Sequence, residues 1–151
     1  MIRFSLLSRA ALLSILVVGG CPLAQAACSV ETPQVVLNPY NALGPAPQPT
    51  NVSFSLTCTT NASVQIQASA GNSTNQLSRQ LRQSNNAVSY QLYLGSTAAL
   101  VWGDGNSGTG VATATVGANQ PLQVVGNVRV PGGQNPVPGI YTDVLMFTVV
   151  F

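Results

Sequence analysis

Acidic and nucleophilic side chains are the first candidates for chemistry in this chain, and few of them could work together. Asp104 and Asp143 are two of its three acids, and paired carboxylates are one basis for general acid–base catalysis. The 151-residue sequence contains no His and no Lys, so no such base could activate its many Ser and Thr hydroxyls. Both Asp residues stand where Asp commonly fixes turn geometry. We therefore expect no enzymatic activity and no catalytic residues.

Cysteines and glycine-rich segments are the next candidates, because they could hold a metal ion or a phosphate. Three cysteines without any His leave too few ligands for a typical zinc site. Cys28 and Cys58 lie about thirty positions apart, unlike the closely spaced cysteines of C-x-x-C redox motifs. The glycine-rich stretch 103–110 contains no Lys and precedes no helix start, so it does not match a phosphate-binding loop. We expect no metal, no cofactor and no small-molecule substrate.

The N-terminal stretch has the pattern of an export signal. Arg3 and Arg9 supply positive charge, and the apolar run 10–20 is too short to span a bilayer. Ala24-Gln25-Ala26 then matches the small-x-small pattern of a signal-peptidase site. The sequence therefore predicts that residues 1–26 are a signal peptide that is removed on export.

The predicted mature domain, residues 27–151, is nearly neutral and rich in small polar residues. It contains three arginines and three acids, so its formal charges cancel. Charged residues are also far fewer than in an ordinary soluble domain, where they make up about a quarter of the residues. Nucleic-acid binding needs a cationic patch, and this composition argues against one. The apolar fraction of the full chain, 46%, is too high for a disordered chain, and the length suffices for one domain with a core.

Two cysteines, Cys28 and Cys58, remain after the predicted cleavage, and two thiols in an oxidising compartment are expected to pair. The loop closed by this disulfide is worth about 3–4 kcal/mol in the chain-entropy model. An alternative interpretation begins from Val18-Gly19-Gly20-Cys21, which loosely resembles a lipoprotein box. In that case Cys21 carries a lipid and the protein is anchored in the envelope. The cleaner Ala-x-Ala site favours the first interpretation.

Alternation of apolar and polar residues is the dominant pattern of the mature chain, and it predicts β-strands. The alternating runs are 52–58, 64–69, 88–94, 111–116, 124–130 and 141–151. Segments rich in Gly, Pro and Asn separate them, including a connector at 38–50 and a loop at 131–139. Short strands at roughly ten-residue spacing with such turns predict an all-β sandwich.

The final run, Tyr141 to Phe151, differs from the others because both of its faces are apolar. One face carries Leu145, Phe147, Val149 and Phe151, and the other carries Val144, Met146 and Val150. Two apolar faces are expected of a strand in the centre of a sheet, or of one that something else covers.

Trp102 and two arginines, Arg79 and Arg82, call for separate interpretation. Trp102 could be an exposed contact at its turn, but large aromatic side chains mostly anchor cores, so we expect it to pack beside Tyr90 and Tyr93. Arg79 and Arg82 stand in a polar segment, and we interpret both as solvated surface charges.

Several short motifs follow one another along the mature chain in a recognisable order. They are Tyr90-x-Leu92-Tyr93, Trp102-Gly103-Asp104-Gly105, and Pro138-Gly139-Ile140-Tyr141-Thr142-Asp143-Val144-Leu145 with alternating apolar residues to Phe151. A cysteine at the mature start, Tyr40 in a Pro/Gly-rich connector and a strand that ends in Cys58 precede them. In this order and spacing the chain resembles the spore coat protein U domain family over essentially its whole mature length.

The resemblance implies an incomplete immunoglobulin-like β-sandwich that is completed by donor-strand addition. Many members of the family are pilin subunits of archaic chaperone–usher pili, which lack their last strand. A periplasmic pilus chaperone supplies that strand first, and a sister pilin supplies it in the fibre. The strand that would contact the chaperone or donor carries Leu145, Phe147, Val149 and Phe151. The implied partners are the chaperone, an outer-membrane usher and sister pilins, and the implied location is the cell surface.

One feature departs from a polymerising pilin. A donor segment needs about ten residues ahead of the first cysteine to span a strand, yet only Ala27 lies between the predicted cleavage site and Cys28. We therefore expect a subunit that accepts a strand without donating one, as a tip or capping subunit that acts in adhesion and biofilm formation. The alternative is a self-contained secreted coat or binding module whose sandwich is complete.

Overall fold

A computed structural model describes residues 27–31, 35–46 and 49–151 of the chain. Its strands are β1 (Cys28–Glu31), β2 (Thr50–Cys58), β3 (Ala62–Ala68), β4 (Gln80–Gln83), β5 (Asn86–Ser89), β6 (Gln91–Leu94), β7 (Ala112–Val116), β8 (Leu122–Arg129) and β9 (Phe147–Val150). A 3₁₀ turn at Gln76–Ser78 is the one helical element in these ranges. None of the described helical structure is long and apolar enough to cross a membrane. The predicted signal peptide lies outside the described residues.

The strands form two open sheets and a separate hairpin. The larger sheet has the order β1-β2-β8-β6, with antiparallel pairing throughout. The smaller sheet has the order β7-β3-β9 and is also antiparallel. Strands β4 and β5 pair with each other as a hairpin, which an isolated bridge from Arg82 joins to Thr142. The fold is therefore all-β, as the alternating pattern predicts, and neither sheet closes on itself.

The core lies between the two sheets and is built by the alternating side chains of their central strands. Phe54 of β2 lies opposite Val124 of β8 in the larger sheet, and Ile66 of β3 is completely buried in the smaller one. Burying a side chain of this size contributes about 1.5–3 kcal/mol to folding. Trp102 has no exposed surface, which confirms that it belongs to the core.

A disulfide fixes the N-terminal strand to the larger sheet. Cys28 and Cys58 occupy directly paired positions of β1 and β2, and their sulfur atoms are bonded. The pairing predicted from the cysteine count is confirmed. Because β1 has only four residues, the covalent bond holds an edge strand that its hydrogen bonds alone would hold weakly.

The run 88–94, which was predicted to be one strand, is divided at Tyr90. The backbone N–H of Tyr90 donates to the carbonyl of Arg79, 3.1 Å away, rather than to a ladder partner in the larger sheet. Strand β5 before it pairs with β4, whereas β6 after it pairs with β8. The chain therefore passes from the hairpin into the larger sheet at this residue.

Candidate functional site

The C-terminal strand β9 forms an edge of the smaller sheet. It pairs with β3 on one side, and no described strand pairs with its other side. Among the described strands β9 is therefore not central, and the other alternative, that something else covers this strand, stays a prediction. The ladder is also shorter than the run 141–151, because β3 ends at Ala68 and Thr142 pairs instead with Arg82 of the hairpin.

The backbone of β9 presents free hydrogen-bonding groups along its open side. The carbonyl of Met146 accepts from the N–H of Ser69 at 2.9 Å, which places position 146 among those whose polar groups face β3. In an antiparallel pair the alternate positions point the other way. The N–H and C=O groups of Phe147 and Val149 consequently face outward from the sheet edge, where another strand could pair with them.

The side chains of this segment separate into two sets according to the face that they occupy. Leu145, Phe147 and Val149 are half-buried and pack against the core. The alternate residues Val144, Met146 and Val150 are 75%, 69% and 43% exposed. Phe151, the fourth residue of the predicted contact strand, follows the end of β9 and is 65% exposed.

An apolar groove of about 900 Å³ lies beside the open edge. Side chains of the larger sheet line it, which are Val52, Phe54, Leu92 and Val128, and Val130 directly after β8 lines it too. Leu145 and Phe147 line it next to the edge, and the segments 35–42 and 136–143 border it elsewhere. Side chains that face an unfilled gap lose the dispersion contacts that a close-packed core provides. The groove thus has the chemistry of a core that lacks part of its filling.

Three aromatic rings connect the groove to the centre of the domain. The ring of Phe147 lies 5.1 Å from that of Phe54 and 5.3 Å from that of Trp102, measured between centroids. Phe54 and Trp102 stack at 5.6 Å. Tilted and edge-on pairs of this kind add about 0.5–1.5 kcal/mol beyond burial. The side chain of Phe147 is therefore held in the core, while its backbone N–H and C=O groups remain available on the open side.

One border of the groove is fastened by Tyr40 and Gln134. The hydroxyl of Tyr40 accepts from the Gln134 N–H at 2.6 Å and donates to the Gln134 carbonyl at 3.1 Å. The Gln134 side chain in turn bonds the backbone N–H and carbonyl of Ser89, at 2.6 and 3.0 Å. These bonds join the strandless segment 35–46 to the loop 131–139 and to β5. No sequence pattern singled out Gln134, since its partners lie 45 and 94 positions away.

Arg79 is completely buried, so its interpretation as a solvated charge is wrong. Its guanidinium donates to the carbonyls of Ser69 and Trp102 at 2.6 and 2.7 Å, and to the Gln91 side chain at 3.0 Å. Burial lowers the pKa of this guanidinium, although the neighbouring Tyr90 partly opposes the shift. Arg79 thereby links the end of β3 to the start of β6. Arg82, by contrast, is exposed, as expected.

Asp143 anchors the segment that leads into β9. Its carboxylate accepts from the Tyr90 hydroxyl at 2.5 Å and from the backbone N–H groups of Asn72 and Val144 at 2.7 and 2.8 Å. Burial, and then this hydrogen bond, raise the pKa of Tyr90 far above its ordinary value. The carboxylate is thus engaged in holding backbone and Tyr90, in keeping with a structural role.

Asp104, the other acid weighed for catalysis, belongs to a different local structure. It accepts from the backbone N–H of Asn106 at 3.0 Å and from the hydroxyl of Thr109 at 3.3 Å. Hydrogen bonds to Asn106, and then the one to Thr109, lower the pKa of Asp104. Among the described residues, no group of three or more His, Cys, Asp or Glu side chains could hold a metal ion.

A scan against protein-family models matches residues 13–148 to the spore coat protein U domain. The chain belongs to this family. A curated relative, protein U of Myxococcus xanthus, is 40% identical over 68 residues, which are 45% of this chain and 36% of the relative. The spore coat protein U domain described here thus matches little more than a third of that protein's length.

A solved structure shares the fold of this spore coat protein U domain. It is the chaperone–tip adhesion subunit pre-assembly complex, CsuC–CsuE, of the archaic chaperone–usher Csu pili of Acinetobacter baumannii. The two are similar at a TM-score of 0.65 with 18% identity, over 84% of this chain and 40% of the matched one. At this identity the comparison supports the all-β, immunoglobulin-like fold with open sheets.

Proposed function

We propose that this chain is an exported, non-catalytic subunit of a chaperone–usher surface fibre, whose groove receives a β-strand from another protein. The observation that carries the proposal is the open edge of β9 beside an apolar groove of about 900 Å³. Membership of the spore coat protein U domain family and the fold shared with a pilus tip subunit support the same interpretation.

Strand addition would use both components of the site. An incoming strand would bond the outward backbone groups of Phe147 and Val149, and every second side chain would enter the groove. Each fully buried Val- or Leu-sized side chain would contribute about 1.5–3 kcal/mol. An exposed edge next to an apolar groove otherwise favours aggregation, so a strand supplied in the periplasm would also protect the subunit.

The proposed partners are a periplasmic pilus chaperone, an outer-membrane usher and sister pilins, and the proposed role of the fibre is adhesion and biofilm formation. Within the fibre we propose a tip or capping position. That position rests on the predicted cleavage after Ala26, which would leave too few residues before Cys28 for a donor strand. The intact mass of the exported protein checks it, because a mature N-terminus well upstream of Cys21 would contradict a capping role.

The proposal is tested by thermal unfolding of the oxidised mature chain, alone and with a pilus chaperone or a synthetic donor-strand peptide of alternating apolar residues. We expect a weakly stable or aggregating domain alone, and a cooperative transition at much higher temperature with the added strand. Leu145→Ala, which truncates a groove side chain, should weaken peptide binding by roughly tenfold or more. Met146→Ala, on the outer face, should change it little.

Two results would contradict the proposal. A mature chain that is already stable alone, and that no donor strand stabilises, would indicate the self-contained secreted module. Equal effects of Leu145→Ala and Met146→Ala on peptide binding would show that the added strand does not occupy the groove.

A further inference from the structure

The outer face of the larger sheet, which faces away from the groove, is mostly polar apart from Val125, which is 39% exposed. The side chains that β2 and β8 direct outward include Asn51, Ser53, Gln123 and Asn127, in contrast to the apolar residues that alternate with them on the inner face. Protein–protein interfaces are depleted in Ser and have apolar, aromatic-rich centres. This face instead offers amide and hydroxyl groups that can exchange hydrogen bonds with a hydroxylated ligand.

A connected cluster of side chains occupies one end of this face. Asn51, Asn127 and Tyr93 lie side by side across β2, β8 and β6. The amide of Asn127 donates to the side-chain carbonyl of Asn51 at 2.8 Å, and its own carbonyl accepts from Nε of Arg129 at 2.9 Å. The guanidinium carbon of Arg129 lies 5.9 Å from the centre of the Tyr93 ring.

These contacts hold the Arg129 guanidinium in place without using its terminal amino groups. Asn127 is only 3% exposed, so the residue that orients Nε is itself fixed, whereas Arg129 is exposed. In the part of the chain that the structure describes, Nε is the only guanidinium nitrogen of Arg129 with a hydrogen-bond partner, and no carboxylate forms an ion pair with it. A guanidinium oriented in this way loses less conformational freedom when its two terminal groups bind a planar anion.

We propose that Arg129, backed by Asn127 and Tyr93, is a binding site for the carboxylate of an acidic polysaccharide. A carboxylate can accept two parallel hydrogen bonds from the terminal N–H groups of the guanidinium, and its single negative charge matches the single positive charge of Arg129. Asn51 beside the cluster, and Ser53 and Gln123 farther along the same face toward the other end of β8, supply donors and acceptors for the hydroxyls of a chain of sugars. The site does not depend on strand addition, because it lies on the opposite face of the larger sheet from the groove.

The test is a titration of the exported protein, with any chaperone that it carries, followed by the arginine Nε–H resonances in NMR spectra. The probe is a galacturonic acid oligomer, and its methyl ester is the uncharged control. We expect the Arg129 resonance to shift with the acid and not with the ester, more strongly at low salt than at high salt. The buried Arg79 should keep its resonance, which shows that the fold is intact.

Substitutions distinguish paired hydrogen bonds from the Arg129 guanidinium from attraction to any positive charge. Arg129→Gln should weaken binding of the acid by roughly tenfold or more, because hydrogen bonds to charged groups are worth about 1.5–3 kcal/mol. Arg129→Lys should recover only part of it, because a lysine lacks the planar fork. Arg82→Gln removes an exposed arginine from the hairpin and should leave binding unchanged.

The proposal would be overturned by equal shifts with acid and ester, by equal losses for Arg129→Gln and Arg82→Gln, or by no shift at all in a protein whose Arg79 resonance is intact. A concentration-dependent shift of Arg129 without any saccharide would also overturn it, since the anion would then come from a second copy of the chain.

Discussion

At the scale of single residues, Arg79 is a buried side chain that supplies donors to backbone carbonyls in the interior. Its substitution by Met would leave the carbonyls of Ser69 and Trp102 buried without their donor. Each unsatisfied buried group costs about 1–3 kcal/mol, so we expect Arg79→Met to lower the free energy of unfolding by about 3 kcal/mol or more. Denaturant unfolding, followed by the fluorescence of Trp102, measures this loss.

The matched control for that prediction is Arg82→Met, at an exposed position of β4 three residues further along the chain. Its guanidinium bonds only the Gln80 side chain, at 2.8 Å, among the described residues. We expect a change within about 0.5 kcal/mol, as for most surface substitutions. Equal losses for the two variants would show that burial of Arg79 contributes nothing specific.

The raised pKa of Tyr90 predicts that stability depends on pH in the alkaline range. Its pKa is raised in the folded state by burial and by Asp143, so between pH 10 and that higher value only the unfolded chain releases the proton. Stability is therefore fully present below about pH 10 and falls as the pH rises further, by about 1.4 kcal/mol per pH unit for one proton. Urea unfolding at several pH values measures the slope.

Tyr90→Phe provides the comparison for the alkaline slope. The variant lacks the bond to Asp143, so it should be less stable by about 1–2 kcal/mol at neutral pH. Above pH 10 its stability should fall less steeply than that of the unsubstituted chain, by about one proton. Parallel slopes in the two proteins would assign the alkaline loss to other groups.

The residues that sequence reasoning missed share a physical reason. Arg79 binds backbone carbonyls that are 10 and 23 positions away, and every residue has a carbonyl, so no spacing marks the partners. An unpaired arginine in a polar segment has the pattern of a surface charge. Trp102 was placed correctly because its size alone favours the core.

At the scale of elements, alternation predicted strands along the parts of the chain where a neighbouring strand is present to pair. Runs 52–58, 64–69 and 124–130 correspond closely to β2, β3 and β8. Run 141–151 forms a ladder only at Phe147–Val150, because pairing needs a neighbour and β3 ends at Ala68. The four-residue strands β1 and β4 were missed, because four residues carry little periodicity.

The hydrogen bonds between Tyr40 and Gln134 at the border of the groove predict a local effect on the loop 131–139. Tyr40→Phe removes both hydroxyl bonds to Gln134, and we expect amide hydrogen exchange in the loop 131–139 to accelerate by roughly tenfold. Tyr93→Phe is the control, since the described residues give its hydroxyl no partner. An unchanged exchange rate in Tyr40→Phe would show that Gln134 is held by its bonds to Ser89 and Pro131 without Tyr40.

At the scale of the whole molecule, the disulfide stabilises the fold mainly by reducing the conformational freedom of the unfolded chain. It joins residues 30 positions apart, a loop worth about 3–4 kcal/mol in the chain-entropy model. We expect the double substitution Cys28→Ser and Cys58→Ser to lower the free energy of unfolding by about that amount. Reduction of the unsubstituted protein should reproduce the loss, and dithiothreitol should have no effect on the double variant.

The same bond also has a mechanical consequence. A pulling force applied at the N-terminus would enter at Cys28 and pass through the sulfur atoms to Cys58, so the hydrogen bonds between β1 and β2 would carry little load. Stretching an oxidised molecule would then release a contour length shorter by roughly 100 Å than that of a reduced one, at about 3.3–3.6 Å for each of the 30 protected positions. In flowing liquid, this covalent path for the force would leave β1 paired with β2 while the rest of the chain bears the tension.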